Sequence, residues 1–420
     1  VFESYPVDRA GLSEETDIAG LKVADVLGTD AAHYPLTLVA SVDDQLHLKA
    51  KYLPDLFSQN EIERIIGRVV RVLDAVVADD RTPLAQVDLL GETERADLAP
   101  VRGREGGSTR LLAHVFESAA LASAGRIALR LGEESISYDE LDRRSSRLAR
   151  VLLARGVSAE SFVALGLARS IESVVSVWAV AKTGAAFVPI DPGYPRDRIE
   201  HMVDDSGAQF GITVCSHVDA LPRTLSAGEA WIVLDDPATA HELSEVSAQP
   251  LSEDERVAGV GLDSAAYAIY TSGSTGLPKG VVVTHTGLEN FANEQAERYR
   301  ITPDSRTLHV SSPSFDASVL EYLLAFGVGA TMVIVPPTVY GGDELREILL
   351  EEEVTHAFIT PSALASVDPS GLDAFQHVVV GGEAVPAELV SRWAPGRNLY
   401  NGYGPTEATI MSNISDPLVA

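Results

Sequence analysis

The sequence holds a single cysteine, Cys215, so no disulfide can close within the chain. A reducing cytoplasm is therefore its expected home. It contains no run of 18 apolar residues and no signal peptide, which argues against a membrane-spanning helix. Basic residues are scarce, with 32 Lys and Arg against 61 Asp and Glu for a net charge of −29. Such a surface repels nucleic acid and anionic lipid, so neither is an expected partner. An anionic ligand would have to rely on a local site rather than a global positive field. Repeats, low-complexity tracts and adjacent His pairs are all missing, and the chain starts at Val1 instead of Met, which reads as a piece of something larger.

The 420 residues are 45% apolar and 22% charged, as in a soluble globular protein of two or three domains. Residues 1–55 carry short alternating stretches, including 36–40 and 45–50, expected as strands. Ile62, Ile65, Ile66, Val69, Val70, Leu73, Val76 and Val77 recur at helical spacing and predict one amphipathic helix over 59–78. Residues 82–110 mix Pro, Gly, Arg and acidic residues without periodicity and read as a linker. From Leu111 onward, strand-like stretches at 162–167, 187–190, 209–214, 231–234, 308–311, 332–335, 357–360 and 378–380 alternate with amphipathic segments such as 171–181 and 344–353. That alternation predicts an α/β layered domain.

The densest chemistry lies in YTSGSTGLPKG at 270–280. Glycines there let the backbone approach a ligand, while hydroxyls, N–H groups and Lys279 supply donors to an anion. The pattern fits a triphosphate cradle, and it also fits a flexible solvated loop. Pro278 stands where a Walker loop needs glycine, and the spacing is not that of a dinucleotide fingerprint. Apolar residues 265–270 before it and Val281, Val282 and Val283 after it predict that it joins two strands.

Two further stretches carry chemistry. In NGYGPTEAT at 401–409, Tyr403 offers an aromatic plane in a tight turn, Thr406 a hydroxyl for an α-phosphate, and Glu407 an oxygen ligand for Mg²⁺. Thr406 and Glu407 also read as the acidic first turn of a helix. In SFDASVLEYLLAF at 314–326, Ser318 and Glu321 have capping-box spacing, and Asp316 then merely supports a helix start. His285 and Cys215 read most simply as structural, Cys215 in the core at the end of a strand.

The 270–280 string resembles the phosphate loop of the adenylate-forming superfamily, which includes acyl-CoA synthetases, luciferases and the adenylation domains of nonribosomal peptide synthetases. Ser137-Tyr138-Asp139-Glu140-Leu141 is similar to its first core motif and residues 182–199 to its second. VFESYPVD at 1–8, HYPLTL at 33–38, the 59–78 helix and the TPLAQVDLLGETERADL that follows resemble the close of a condensation domain. That family's HHxxxDG stretch is absent, so condensation chemistry is not expected. The resemblance implies a layered α/β adenylate-forming large core over 111–420. A partial α+β condensation segment over 1–81 and a linker over 82–110 precede it.

It further implies that Thr271, Ser272, Gly273, Ser274, Thr275, Gly276 and Lys279 face the phosphates of ATP. Gly382, Glu383, Ala384, Asn401, Gly402, Tyr403, Gly404 and Thr406 would complete the nucleotide site. Thr271, Lys279, Thr406 and Glu407 would serve catalysis, with Glu407 on Mg²⁺. Phe315 and Asp316 would meet the substrate, Asp316 against its α-ammonium, and Ala317, Leu320, Phe358, Val379, Gly381, Gly402, Ile410 and Met411 would form the side-chain pocket. Asp316 selects an amino acid, since an acyl-CoA synthetase has no amine to hold. With no other charged wall the expected substrate is apolar, aliphatic before aromatic. The implied partners are the amino acid, a carrier protein bearing phosphopantetheine, a neighbouring condensation domain and an MbtH-like protein. A docking fragment without catalysis and an acyl-CoA synthetase-like ligase are the alternatives. The family's ribose-binding Asp and C-terminal lysine subdomain have no counterpart in the 420 residues, so this stretch alone is expected to bind substrates weakly and adenylate poorly.

Overall fold

The computed structural model describes residues 17–18, 21–22, 34–42, 44–98, 109–225, 230–252, 255, 259–272 and 276–419. The chain forms two compact units, Val1–Arg104 and Glu105–Ala420.

In the first unit, β1 (Asp17–Ile18) pairs with β2 (Leu21–Lys22) and β3 (Leu36–Val42) with β4 (Leu46–Tyr52), both antiparallel. The predicted helix runs over Gln59–Ala78. A reciprocal capping box starts it: Ser58 N–H donates to Glu61 Oε2 at 2.7 Å and Glu61 N–H to Ser58 Oγ at 3.3 Å. Its arginines hold down the following segment, which contains the short helix Glu92–Asp97 inside the stretch read as linker. Arg64 pairs with Asp97 at 2.6 Å, Arg68 with Glu94, and Arg71 Nη1 donates to Leu89 O at 2.9 Å. Strand pairs beside a helix make this unit α+β. The 1–8 stretch and the Gly-rich 103–107 lie outside the described residues.

The second unit is built from two sheets. Its strands are β5 (Ile127–Leu131), β6 (Glu134–Ser137), β7 (Phe162–Gly166), β8 (Ala186–Pro189), β9 (Phe210–Thr213), β10 (Ile232–Val233) and β11 (Ala265–Thr271). They continue with β12 (Lys279–Thr284), β13 (Arg306–His309), β14 (Thr331–Ile334), β15 (His356–Ile359), β16 (His377–Gly381), β17 (Asn398–Tyr403) and β18 (Asn413–Ile414). One sheet has the order β10-β9-β7-β8-β11-β12 and the other β18-β17-β16-β15-β13-β14-β5-β6. Both are parallel inside, with β12, β18 and β6 antiparallel at edges. The eight stretches expected as strands all fall within two residues of an observed one. The β5–β6 hairpin and the β17–β18 pair are additions to them.

Helices fill the space between the sheets. Ile171–Thr183 is apolar on nearly every side and almost wholly buried, the pattern of an enclosed helix. Ser170 caps its start and Gly184, at φ +80°, closes its end. Trp178 stacks on Phe116 of helix Leu112–Ser123, and Phe326 of helix Ala317–Phe326 meets both rings edge-on. The first of these helices packs on β7 and β8 and the last on β13, β14 and β15, so together they join the sheets into layers. The fold is the layered α/β arrangement expected. No helix among the described residues is long and apolar enough to cross a membrane.

Cys215 departs from expectation. The strand before it ends at Thr213, and Cys215 opens a 3₁₀ turn with its side chain exposed. Its N–H is drawn out of the sheet by Asp235 Oδ1 at 2.6 Å, so it is not a core residue.

Candidate functional site

β11 and β12 form an antiparallel hairpin with Tyr270 opposite Gly280 and Thr271 opposite Lys279, so the 270–280 loop joins two strands as its flanks predicted. Gly273, Ser274 and Thr275 lie outside the described residues. Ser272, Gly276 and Lys279 are exposed and Thr271 half-buried. Gly276 sits at φ +90° with open space around it, a conformation that favours glycine. The helix Arg196–Ser206 anchors the loop base: His201 Nε2 lies 2.9 Å from Pro278 O, and the Tyr270 hydroxyl donates to Asp205 Oδ2 at 2.8 Å. His285, just past β12, is buried and accepts from Leu112 N–H through Nδ1 at 3.1 Å. Burial lowers its pKa to about 4, consistent with a neutral structural role.

A cavity of about 850 Å³ opens at the C-terminal ends of β13, β15, β16 and β17, where open parallel sheets present ligand sites. Phe315, Asp316, Ala317, Leu320, Phe358, Gly381, Gly402, Ile410 and Met411 line it, joined by Gly382, Glu383 and Gly404 from the expected nucleotide set. Val379 does not line it: it points to the same face of β16 as Gly381 but lies deeper, buried with Leu320, Phe358 and Ile410 beneath the cavity floor, its Cγ1 3.5 Å from where a Cβ on Gly402 would stand. The wall also holds Ser311, Ser312, Tyr340, Thr360, Ser362 and Ser366, so the cavity as a whole has a hydroxyl-rich end that the sequence did not suggest. At that end Glu383 accepts from the Ser362 N–H at 3.1 Å and from the Ser362 hydroxyl.

The glycines do not leave empty room. A Cβ on Gly402 would meet Met411 Cε at 2.4 Å, and one on Gly381 would meet Gly402 O at 2.7 Å and the Phe358 ring at 3.0 Å. Met411 and Phe358 themselves occupy the volume these glycines release. Ile410 and Met411 are presented by a strained turn. Thr409 and Ile410 hold φ of +60° and +72°, a costly region for β-branched residues, and Met411 N–H donates to Thr409 O at 2.8 Å across a γ-type turn. Gly404 permits this fold-back, because a Cβ there would lie 2.4 Å from Met411 Cα.

Asp316 precedes the helix Ala317–Phe326 without capping it by its side chain. The expected capping box does not form. Ser318 Oγ donates to Phe315 O at 2.7 Å, and Glu321 turns inward instead. One Asp316 oxygen, Oδ2, is buried with no hydrogen-bond partner among the described residues. Burial pushes the Asp316 carboxyl above its usual range, the nearby Thr406 hydroxyl opposes this, and the charge of Glu407 adds to the upward push. The 314–326 and 401–409 stretches therefore converge on one carboxylate. The turn Thr406–Ala408 packs beside β12, which brings it to the exit strand of the 270–280 loop.

Around it, Tyr403 exposes its ring (69%) and Phe315 much of its own (57%). Asn401 uses its main chain on Ser415, leaving its side chain exposed, and Glu407 and Ala384 are exposed too. Gly382 stands at φ +83° with open space beyond it, so a ligand can approach its backbone closely. Among the described residues no group of three or more His, Cys, Asp or Glu is arranged to hold a metal by itself. Glu407 fits Mg²⁺ only as a single protein ligand, with phosphate and water oxygens supplying the rest, as this ion commonly takes them.

Sequence spacing gave no hint of the groups behind the cavity wall. Glu321 and Arg169, both buried, bind the backbone of residues 310–311. Asp191 takes the Ser312 hydroxyl at 3.0 Å, and its N–H donates to Ser314 Oγ at 2.9 Å. Buried charges in otherwise apolar runs are the one signal that could have flagged them.

A family model described as "AMP-binding enzyme" matches residues 116–419, and one described as "Condensation domain" matches residues 1–99. The chain is 39% identical over 404 residues to the "Probable non-canonical nonribosomal peptide synthetase (NRPS) CymA" of Salinispora arenicola, covering 93% of this chain and 5% of that protein. It is 35% identical over 413 residues to "Phosphinothricin tripeptide synthetase PhsC" of Streptomyces viridochromogenes, covering 97% of this chain and 37% of the relative. "Novobiocin biosynthesis protein H" of Streptomyces niveus matches 73% of the chain at 41% identity, over 51% of its own length. The chain thus spans about half or less of the length of these relatives. Among solved structures, that of the nonribosomal peptide synthetase FmoA3 superposes with a TM-score of 0.77 at 27% identity, covering 91% of this chain and 41% of that one. The N-terminal subdomain of NpsA from Klebsiella oxytoca superposes at 0.64 and 25% identity, covering 74% and 80%.

Proposed function

The chain belongs to the AMP-binding enzyme family, and from that premise we propose that residues 111–420 activate an apolar amino acid with ATP as the adenylation part of a nonribosomal peptide synthetase module. The observation that carries this reading is the Asp316 carboxylate on the cavity wall, pushed toward its neutral form by burial, with one oxygen lacking a partner among the described residues. An α-ammonium would supply that partner and a charge-assisted bond. An acyl-CoA synthetase-like ligase brings no amine to compensate the carboxylate.

In this reading an oxygen of the amino-acid carboxylate attacks the α-phosphorus, and the bond to pyrophosphate breaks. Thr406 donates to the α-phosphate, and Thr271, Ser272 and Lys279 hold the β- and γ-phosphates with the loop residues Gly273, Ser274, Thr275 and Gly276. Tyr403 stacks on adenine between Asn401, Gly402 and the Gly382–Glu383–Ala384 turn. Mg²⁺, when bound, offsets phosphate charge, and Glu407 supplies its protein oxygen. Ala317, Leu320, Phe358 and Met411 leave room for Val, Leu or Ile first and an aromatic second.

The condensation-like segment implies an upstream condensation neighbour, and the aminoacyl-AMP a carrier protein whose phosphopantetheine thiol accepts the acyl group. An MbtH-like helper and a cytoplasmic location belong to the same proposal. Calorimetric titration of L-valine, L-glutamate and isovalerate tests it. L-valine should bind and the other two should not, since glutamate brings an uncompensated charge and isovalerate no ammonium. Equal binding of isovalerate and L-valine would remove the amino-acid assignment.

A further inference from the structure

The strongest feature left unassigned is the charge arrangement behind Val310, one of the cavity-lining residues. Arg169 follows β7, and only 3% of it is exposed, whereas Glu321 on helix Ala317–Phe326 is 0% exposed. They grip the two sides of one residue's backbone. Val310 N–H donates to Glu321 Oε1 at 3.2 Å, and Arg169 Nη1 donates to Val310 O at 2.5 Å. Glu321 Oε1 also accepts from Ser311 N–H at 3.0 Å and the Ser311 hydroxyl at 2.8 Å, while Oε2 lies 2.5 Å from His309 Nδ1. The carboxylate can only accept, so Nδ1 carries the proton of that bond. The remaining Arg169 donors reach Val335 O, Pro336 O and Val339 O at 2.9–3.0 Å. The two charges therefore balance each other through a peptide rather than by direct contact.

Buried ions seldom add net stability over apolar residues of the same size. These two stand directly behind the wall that leads, through Ser312, Ser314 and Phe315, to Asp316. The Phe315 N–H to Ser312 O bond at 3.0 Å closes that short path. We propose that Arg169 and Glu321 are positioning residues, holding the 310–312 wall so that Asp316 meets the substrate ammonium in register. This rests on the amino-acid reading of the cavity. It adds two residues that touch neither ATP nor the amino acid.

Two measurements test it on the whole chain. Glu321→Gln keeps shape and removes charge, and calorimetry reads L-valine and Mg²⁺-ATP separately. Loss of charge-assisted bonds to the wall should weaken L-valine about tenfold while ATP changes less than about twofold. Arg169→Gln/Glu321→Gln should be no more than about twofold worse than Glu321→Gln alone, because both act through one peptide. Parallel loss of both affinities, or an unchanged L-valine affinity, overturns the positioning role. The second measurement is amide hydrogen exchange in the unmodified chain, which needs neither a variant nor a ligand. Val310 and Ser311 amides should exchange as slowly as that of Leu308 in β13. Exchange at the rate of exposed loop amides overturns the grip itself, even if the chain binds no amino acid and the functional reading has failed.

Discussion

Replacing Asp316 by Asn separates binding from folding, because the same carboxylate has opposite effects on the two. Its Oδ2 is buried without a partner among the described residues, and Asp316 lines the cavity with Ala317, Leu320 and Phe358 nearby. A hydrogen bond to a charged group is worth about 1.5–3 kcal/mol net. At about 1.4 kcal/mol per decade, losing the ammonium contact should cost roughly 10- to 100-fold in L-valine affinity. Mg²⁺-ATP affinity should stay within about twofold, since Asp316 is not among its ligands. Stability should move the other way. Burial raises the Asp316 pKa in the folded state above its unfolded value. The folded state then holds more proton than the unfolded one across that interval, so stability falls as pH rises through it. At pH 7 the ionised carboxylate is a burden that Asn removes, and the benefit shrinks as pH falls toward the unfolded carboxyl value. Titration calorimetry and urea unfolding at pH 7.5 and 5 read the two effects. A variant that binds L-valine like the parent, or that is less stable at pH 7.5, refutes the reasoning.

Other substitutions probe the cavity wall. Gly381→Ala drives a Cβ to 2.7 Å from the Gly402 carbonyl, which cannot swing aside, so urea unfolding should show a loss of about 1–3 kcal/mol. Gly402→Ala meets only the flexible end of Met411, so it should cost less stability yet still weaken L-leucine binding more than L-alanine binding. Thr409→Asn relieves a left-handed β-branched residue and should raise the melting temperature by about 2 °C, whereas a fall would contradict the strain reading. His285 and His356 are buried, and burial lowers each to about pKa 4. The unfolded chain therefore binds more protons than the folded one from the ordinary His value near 6.5 down to about 4, and stability should drop across that window. Urea midpoints at pH 7 and 5 check this, and a flat profile would exclude it.

Much of this architecture is legible because its signals are local. The β-branched run at Val281, Val282 and Val283 reveals the hairpin, and the apolar spacing from Ile62 to Val77 predicts a helix that the structure keeps. The Phe315-Asp316 and Thr406-Glu407 pairs carry enough chemistry to stand out before their convergence is visible. Glu321 misleads for the same reason. Its spacing from Ser318 suggests a cap, but its partners are groups at 309–311, reached only when the strand and helix pack. Val379 lies on the face of β16 that meets the cavity but one pleat deeper than Gly381, a difference in depth that strand periodicity does not show. The apolar neighbours of Cys215 suggest a core position, yet the strand ends two residues before it. Arg169 shows only as a charge in an apolar run, and nothing local shows that four carbonyls will surround it.

The most direct test of the central claim is amino-acid-dependent exchange of pyrophosphate into ATP across the standard amino acids, measured on a chain extended through the family's C-terminal lysine subdomain. The account predicts exchange strongest with Val, Leu or Ile, weaker with aromatic residues and at background with Asp, Glu, Lys and Arg. Strongest exchange with a charged amino acid, or exchange indifferent to the amino acid supplied, would contradict it.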